Sequence, residues 1–398
     1  TKVLPVQMPY PSEGLLNTDF GDFTTQKIYW LSIGIVPWYQ VFTGLVELTA
    51  GTMLFFRQTT VYGAALLFGA LGSITIVNHV YDGGVQTYAF YFVLLGLYIF
   101  GYYVPRIYRF FVLQQYTVPV DYWPKFTVRW QQVVRFGLKA FVIVLFIGVF
   151  FVLQLNNFLY DPYKQPSSPG VKQLRGYYDV TTFRINGAEI PYSPLDTVRW
   201  QHVTFEKWST MTFKVSRPTP LDLSNGGGSP IRDIDRTFEI AGTGGGQRVF
   251  HYYADTVGRT LYLQDKIRKG GNFENGEGGG GAIRAGRRRS PSVEGRRDTL
   301  AADPFGPDWI SPDAWARIGD EAYFIDPRGL TARRLKEFAR PARPVNRNKM
   351  ILTYETTDGD RVVLTGLNEN KDSIYVVLDR RERDYLLSRS TLDAGKYD

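Results

Sequence analysis

"YQVFTGLVELTAGTMLFFRQTT", residues 39–60, sets Glu47 in the middle of an apolar run about long enough to cross a bilayer. A carboxylate at that depth costs about 2.5–3.5 kcal/mol on insertion scales, so such residues face a protein interior or a wet cavity. Working outward, three more apolar segments follow, and the set at 36–56, 60–80, 86–104 and 136–155 has the length of spanning helices. Beyond residue 160 the chain is polar, charged and rich in Gly and Pro. The expected architecture is therefore a membrane α-helical bundle with four transmembrane helices, followed by an antiparallel β-barrel or meander outside the cytoplasm.

The formal charge of +8 comes partly from a loop between the apolar segments and partly from the run "AIRAGRRRSPSVEGRRD" at 282–298. A cytoplasmic loop and a flexible basic segment account for it, so nucleic acid is not an expected partner. With no cysteine, the chain has no disulfides, thiolate metal sites or iron–sulfur clusters. No secretory signal peptide is recognisable at the start.

Positive loops stay in the cytoplasm. Arg57 lies between the first two segments, and Arg106, Arg109, Lys125, Arg129, Arg135 and Lys139 lie between the third and fourth. The connection "YDGGVQ" (81–86) and the N-terminal approach then belong outside, in the periplasm of a two-membrane cell, together with everything after residue 160. Trp30, Trp38, Tyr39 and Tyr81 fall at the outer boundary, and Tyr102, Tyr103 and Tyr108 at the inner one, where Trp and Tyr are favoured.

Gln40, Gly44, Glu47 and Gly51 share one helix face, and Ala65, Gly69, Gly72, Thr75 and His79 form a comparable stripe on the second segment. Small residues let helices approach closely in lipid, so these two stripes are expected to pack together. Glu47 would then find Thr43, Thr75, Asn78, His79 or a tyrosine of the third segment such as Tyr88 or Tyr91. It is either a hydrogen-bonded packing residue or a proton-active, ligand-contacting one. His79, His202 and His251 are the only histidines, which leaves no pair within the bundle for a bis-histidine haem, and no metal site is expected. Asp82 reads as a turn residue.

The stretch "YQVFTGLVELTAGTMLFFRQTTVYGAALLFGALGSITIVNHVYD" (39–82) resembles the core of DoxX-type membrane proteins, particularly the long form of Bacteroidota. The resemblance rests on "FTGLVEL", on "FFRQTTVYGA", and on Asn78 followed by Tyr81 and Asp82, and it extends more loosely over 1–155. It implies an inner-membrane bundle with further helices upstream and a lipocalin-like C-terminal region. One branch of the family is associated with quinone-linked oxidation of thiosulfate. The family more often has Lys where Gln86 stands and His where Tyr91 stands, and losing both favours an accessory role for this copy.

The segment 156–170 reads as a linker after the DoxX-like four-helix domain (36–155), and 1–35 as an extracytoplasmic approach. In 171–398, short strand-like runs separated by Asn-Gly (186–187), Gly-rich (242–246) and Asp-Gly (358–359) turns point to a small barrel. "GTGGGQ" lacks the features of a phosphate loop and reads as a turn. A Gly/Arg-rich insertion at about 268–347 interrupts the pattern. Within it Ser311 is placed to cap a short helix and 331–340 forms a basic amphipathic turn; the whole is expected to be a solvated loop or a binding element.

Three functions follow. The first is a non-catalytic accessory or structural subunit whose partners are other membrane proteins and lipid. The second is a quinone-linked oxidoreductase subunit, for which a quinone is the cofactor required, with Glu47, His79 and nearby tyrosines moving protons. The third is a carrier or sensor of a lipophilic ligand.

Overall fold

The computed structural model describes residues 2–118, 126–162, 164–223, 232–267, 304–306, 308–319, 321–330, 346–385 and 387. Its helices are α1 (Glu13–Leu16), α2 (Thr25–Gly34), α3 (Pro37–Met53), α4 (Thr60–Val80), α5 (Gln86–Gly101), α6 (Val104–Phe111), α7 (Arg129–Ile143), α8 (Phe150–Tyr160) and α9 (Pro312–Trp315). A π-helical stretch, Val144–Val149, joins α7 to α8. The strands are β1 (Gly176–Ile185), β2 (Ala188–Glu189), β3 (His202–Phe205), β4 (Thr210–Lys214), β5 (Gln247–Asp255), β6 (Thr260–Asp265), β7 (Lys349–Glu355), β8 (Arg361–Leu367) and β9 (Ser373–Arg380). The chain divides into two compact units, Thr1–Gln7 with Val36–Leu159 and Met8–Ile35 with Tyr160–Asp398.

In the helical unit, Pro37 occupies the first turn of α3, where its missing N–H leaves no bond unmade. α4 packs against both α3 and α5. The close approach lies elsewhere than the small-residue stripes predict. A Cβ at Gly51, Gly69 or Gly72 would meet nothing within 4 Å, whereas one at Gly63 would sit 2.7 Å from Met53 Cβ and 2.9 Å from the Ala50 carbonyl oxygen. Gly96 of α5 lies against Ala64, Leu67 and Phe68 of α4. Small size at 51, 69 and 72 therefore permits contact without producing it; backbones converge where the turn between α3 and α4 forces them together. The fourth apolar segment is longer than expected, a continuous helix over Arg129–Tyr160 with no part of its apolar window buried inside the chain. By length and composition two helices, α4 and this one, suffice to cross a bilayer, and up to four do if each of two bent helix pairs counts as one span.

The second unit is an eight-stranded antiparallel barrel. β3 to β9 run in sequential order, and β1 closes the ring by pairing with β3 through Gly176–Asp179 and with β9 through Tyr178–Ile185. A bulge between Val180 and Thr182 bends β1 as closure requires. The Asn186-Gly187 turn, both residues at positive φ, sends the chain into β2, a short ninth strand on β1. The interior is filled: Trp200 stacks on Phe213 at 4.1 Å, Phe213 on Phe250 at 5.5 Å, and Tyr178, Leu261, Leu352, Leu364, Val376 and Leu378 close the remainder. Burying each large apolar side chain stabilises the fold by about 1.5–3 kcal/mol.

Three expected boundaries are corrected. Residues 8–35 are not a separate approach but part of the barrel unit. The segment 156–170 is no free linker: α8 runs on to Tyr160, and Asp161, Lys164 and Ser168 beyond it are buried. Within the 268–347 insertion, Ile310, Ala314 and Ile318 pack with Tyr253, Tyr262 and Trp309 on the outside of β5 and β6. Ser311 does cap α9, its Oγ accepting from Ala314 N at 3.2 Å. Residues 268–303 and 331–345, with the expected amphipathic turn at 331–340, lie outside the described residues.

Because Met8–Ile35 and Tyr160–Asp398 share one unit, any membrane crossings between them would have to be even in number. The chain has no cysteine, so a single introduced thiol reports its own side. Gly21→Cys and Val257→Cys, both exposed, are expected to react with an impermeant maleimide from the same face of sealed vesicles; opposite faces would contradict the shared unit.

Candidate functional site

Helix geometry gives the polar candidates of the helical unit different partners from those the pattern predicts. Glu47 is ion-paired with Lys2, the two side chains being 29% and 21% exposed. Gly44, one turn before Glu47, admits the N-terminal segment so closely that a Cβ there would lie 2.5 Å from Val3 N. The polar face of α3 is thus covered by the chain's own first residues. Thr43 Oγ1 donates to the Gln40 carbonyl at 2.9 Å, Thr75 Oγ1 to Leu71 at 2.8 Å, and Asn78 Nδ2 to Ile74 at 2.7 Å. Hydroxyl and amide groups in a helix meet their own backbone at i−3 or i−4 before they reach a neighbour, so these three turn inward on their own helices.

His79 is exposed near the end of α4. Asp82, at φ 52°, belongs to the turn closed by Gly83 N donating to the Asn78 carbonyl at 2.7 Å, as its reading as a turn residue expects. Tyr88 and Tyr91 are 65% and 57% exposed and lie edge-on against Phe92. The structure therefore does not gather the candidates into one polar centre. Among the described residues no group of three or more His, Cys, Asp or Glu side chains could hold a metal ion.

Among the described residues a network of buried charged groups lies instead against the outside of the barrel. Two straps dock there. The first, Met8–Ile35, begins with α1, whose Glu13 and Gly14 N–H groups donate to the Glu206 carboxylate at 3.1 and 2.8 Å. It then crosses the glycine loop. Thr24 N donates to Gly242 O at 3.0 Å and Gly244 N to Asp22 O at 2.7 Å. Gly245, at φ +68°, lies where any Cβ would strike the Asp22 carboxylate. "GTGGGQ" is thus the seat of the strap as well as a turn. Lys27 reaches the Phe238 carbonyl and lies 4.3 Å from that ring.

The second strap, residues 161–170, is held by Asp233, whose Oδ2 accepts from Ser167 N, Ser168 N and Ser168 Oγ at 2.9, 2.8 and 2.9 Å. Arg236 donates to Asp161 at 3.1 Å and to the Pro162 carbonyl at 2.8 Å. Lys164 of this strap lies 4.1 Å from the Trp30 ring of the first. Behind them, Glu239 accepts from Lys266 at 3.0 Å and from Trp208 Nε1 at 2.8 Å.

One part of this network has the composition of a hydrolytic triad. Ser209 Oγ lies 3.4 Å from His251 Nδ1, and Asp233 is near enough to bias the imidazole. The arrangement cannot serve an external substrate: Ser209, His251 and Asp233 are 4%, 2% and 0% exposed, and Asp233 is engaged by the strap. Removing one partner from a buried charge pair of this kind costs about 3–5 kcal/mol, which makes the network a clamp.

Comparison with family models, with curated proteins and with solved structures gives no match.

Two clamp residues titrate in opposite senses. Burial pushes the Glu206 carboxyl from 4.5 up to about 7, against hydrogen bonds from Gly14 and Ser12 that pull it down. Burial likewise pushes His251 from 6.5 down to about 4, the Asp233 charge opposing. The Glu206 contribution is full below pH 4.5 and lost as pH rises through 7; that of His251 is full above pH 6.5 and lost as pH falls through 4. The two slopes offset each other between pH 4.5 and 6.5. Glu206→Gln is expected to melt at rising temperature as pH climbs across that window, and His251→Gln at falling temperature. Parallel melting profiles in the two variants would refute both assignments.

Proposed function

We propose that this chain is a multi-pass protein of the inner, cytoplasmic membrane, of the kind its DoxX resemblance implies. In this reading it acts as a non-catalytic accessory or structural subunit of a larger membrane complex, with the barrel unit in the periplasm. The observation that carries the reading is the helix Arg129–Tyr160, apolar enough to span a bilayer and unburied within the chain. Such a helix needs lipid or neighbouring membrane proteins around it. The charged groups support the same reading, since those of the clamp hold the protein's own segments rather than facing a cleft.

The quinone-linked alternative rests on Glu47 and Lys2, a half-buried carboxylate–ammonium pair at an apolar helix. A lipophilic-ligand carrier is less well supported. The cavity between Trp200, Phe213, Arg248 and Glu369 holds about 100 Å³, below the roughly 300–1,000 Å³ of ordinary ligand pockets, and the adjoining space of about 540 Å³ between Gln201, Lys214, Arg217 and Gly246 is an open groove rather than an enclosed pocket.

Purification in mild detergent followed by mass spectrometry is expected to return stoichiometric companion membrane proteins; a solitary chain retaining quinone would favour the alternative. Glu47→Gln should leave the companions in place and lower stability by about 1 kcal/mol or less, as for a partly exposed ion pair. Loss of a quinone-dependent turnover in that variant would displace the accessory reading. Gln58→Cys, exposed in the turn after α3, is expected to react only from the cytoplasmic side.

A further inference from the structure

The helical unit carries one strongly polarised end. The sequence from 102 to 139 holds six basic residues against Asp121 as its one acid, and the turn 54–59 adds Arg57 with no acid. On α6, Val104, Ile107, Tyr108 and Phe111 share one face while Arg106 and Arg109 occupy the other. The apolar face is open, with Tyr108 52% and Phe111 72% exposed. α6 bends away from α5 by 58°. A short helix with an open aromatic face and a cationic back suits the plane between acyl chains and head groups.

The helix that begins with α7 supplies a second set of cations at a defined depth. From Ala140 to Tyr160 it carries no charged residue, a length of about 31 Å at 1.5 Å per residue, close to the roughly 30 Å of a hydrocarbon core. Lys139 therefore falls at the boundary of that core, and Arg135 and Arg129 fall beyond it. Lys139 Nζ lies 4.4 Å from the ring of Phe56, which brings it to the turn that carries Arg57. Arg106 lies 5.5 Å from the ring of Tyr102. Cations leaning on aromatic rings beside apolar helices are arranged for snorkelling into the head-group layer.

We propose that this end, centred on Arg106, Arg109, Arg129 and Lys139, binds anionic phospholipid head groups in preference to zwitterionic ones. The inference rests on the membrane reading above and adds lipid selectivity to it. Phosphodiester head groups with net negative charge meet both the charge and the depth of these side chains, and juxtamembrane cations are drawn to an anionic surface.

The test is the full chain reconstituted in vesicles of equal parts phosphatidylglycerol and phosphatidylcholine, re-extracted in mild detergent, with its retained lipids measured by native mass spectrometry. Phosphatidylglycerol is expected to be enriched on the order of tenfold, the enrichment falling as salt is raised. Arg106→Ala with Arg109→Ala should bring the ratio near parity, Arg106→Lys with Arg109→Lys should keep it, and Lys139→Gln should lower it if the alanine pair fails to fold. Equal retention of the two lipids, or enrichment unchanged in the variants, would overturn the proposal. Resistance to alkaline carbonate extraction, measured in parallel, separates the two readings: a resistant chain without lipid preference refutes the selectivity alone, and an extractable chain refutes the membrane reading beneath it.

Discussion

Backbone N–H groups given to two buried carboxylates hold the two straps of the barrel unit in place. Glu206 receives them from α1, almost two hundred residues earlier in the chain, and Asp233 receives them from the strap that follows α8. An ionised or shared carboxylate removed from water is costly unless donors surround it. The barrel alone does not provide those donors; the straps do. The bonds therefore work in both directions, giving each carboxylate its solvation and giving two otherwise loose segments a fixed seat. Glycines 242 and 245 complete the seat by omitting the side chains that would block the first strap.

This coupling explains what the sequence concealed. The barrel was legible because its signals are local: alternation within strands, an Asn-Gly turn at 186–187, an Asp-Gly turn at 358–359, and a capping serine at 311. The helical segments were legible for the same reason, each being an uninterrupted apolar run. The strap contacts are not local. Nothing near Glu13 announces that its N–H belongs to Glu206, and a polar, Pro-bearing stretch such as 156–170 has the composition of a linker whether or not a buried aspartate awaits it. "GTGGGQ" did carry a signal, since glycines in consecutive positive-φ conformations form concave backbone that accepts another chain segment. That signal names a receptor surface without naming its occupant.

The polar candidates of the helical unit show a different limit. Glu47 is ion-paired with Lys2, a partner that the helical period of α3 cannot reveal. Thr43, Thr75 and Asn78 lie on helix faces from which they could meet neighbours, and each bonds to its own backbone instead. Periodicity fixes the direction of a side chain about its helix axis. It does not fix which element arrives opposite. Gly51, Gly69 and Gly72 were misread on the same ground, while Gly63 was missed because its importance comes from the tight connection between α3 and α4.

Charge and strap contacts bear separately on the membrane reading, and each supplies what the other lacks. The basic loops orient the chain without counting crossings. The shared barrel unit requires an even number of crossings without orienting them. By length and composition α4 and the helix Arg129–Tyr160 each suffice to cross a bilayer, and α3 and α5 do so only if each is counted with the helix it bends against, α2 and α6. Two crossings and four both satisfy that requirement. The requirement of evenness itself rests on Glu206, which follows the helical segments while its donors Glu13 and Gly14 precede them; Asp233 and the strap it holds both lie after those segments and place no constraint on the count.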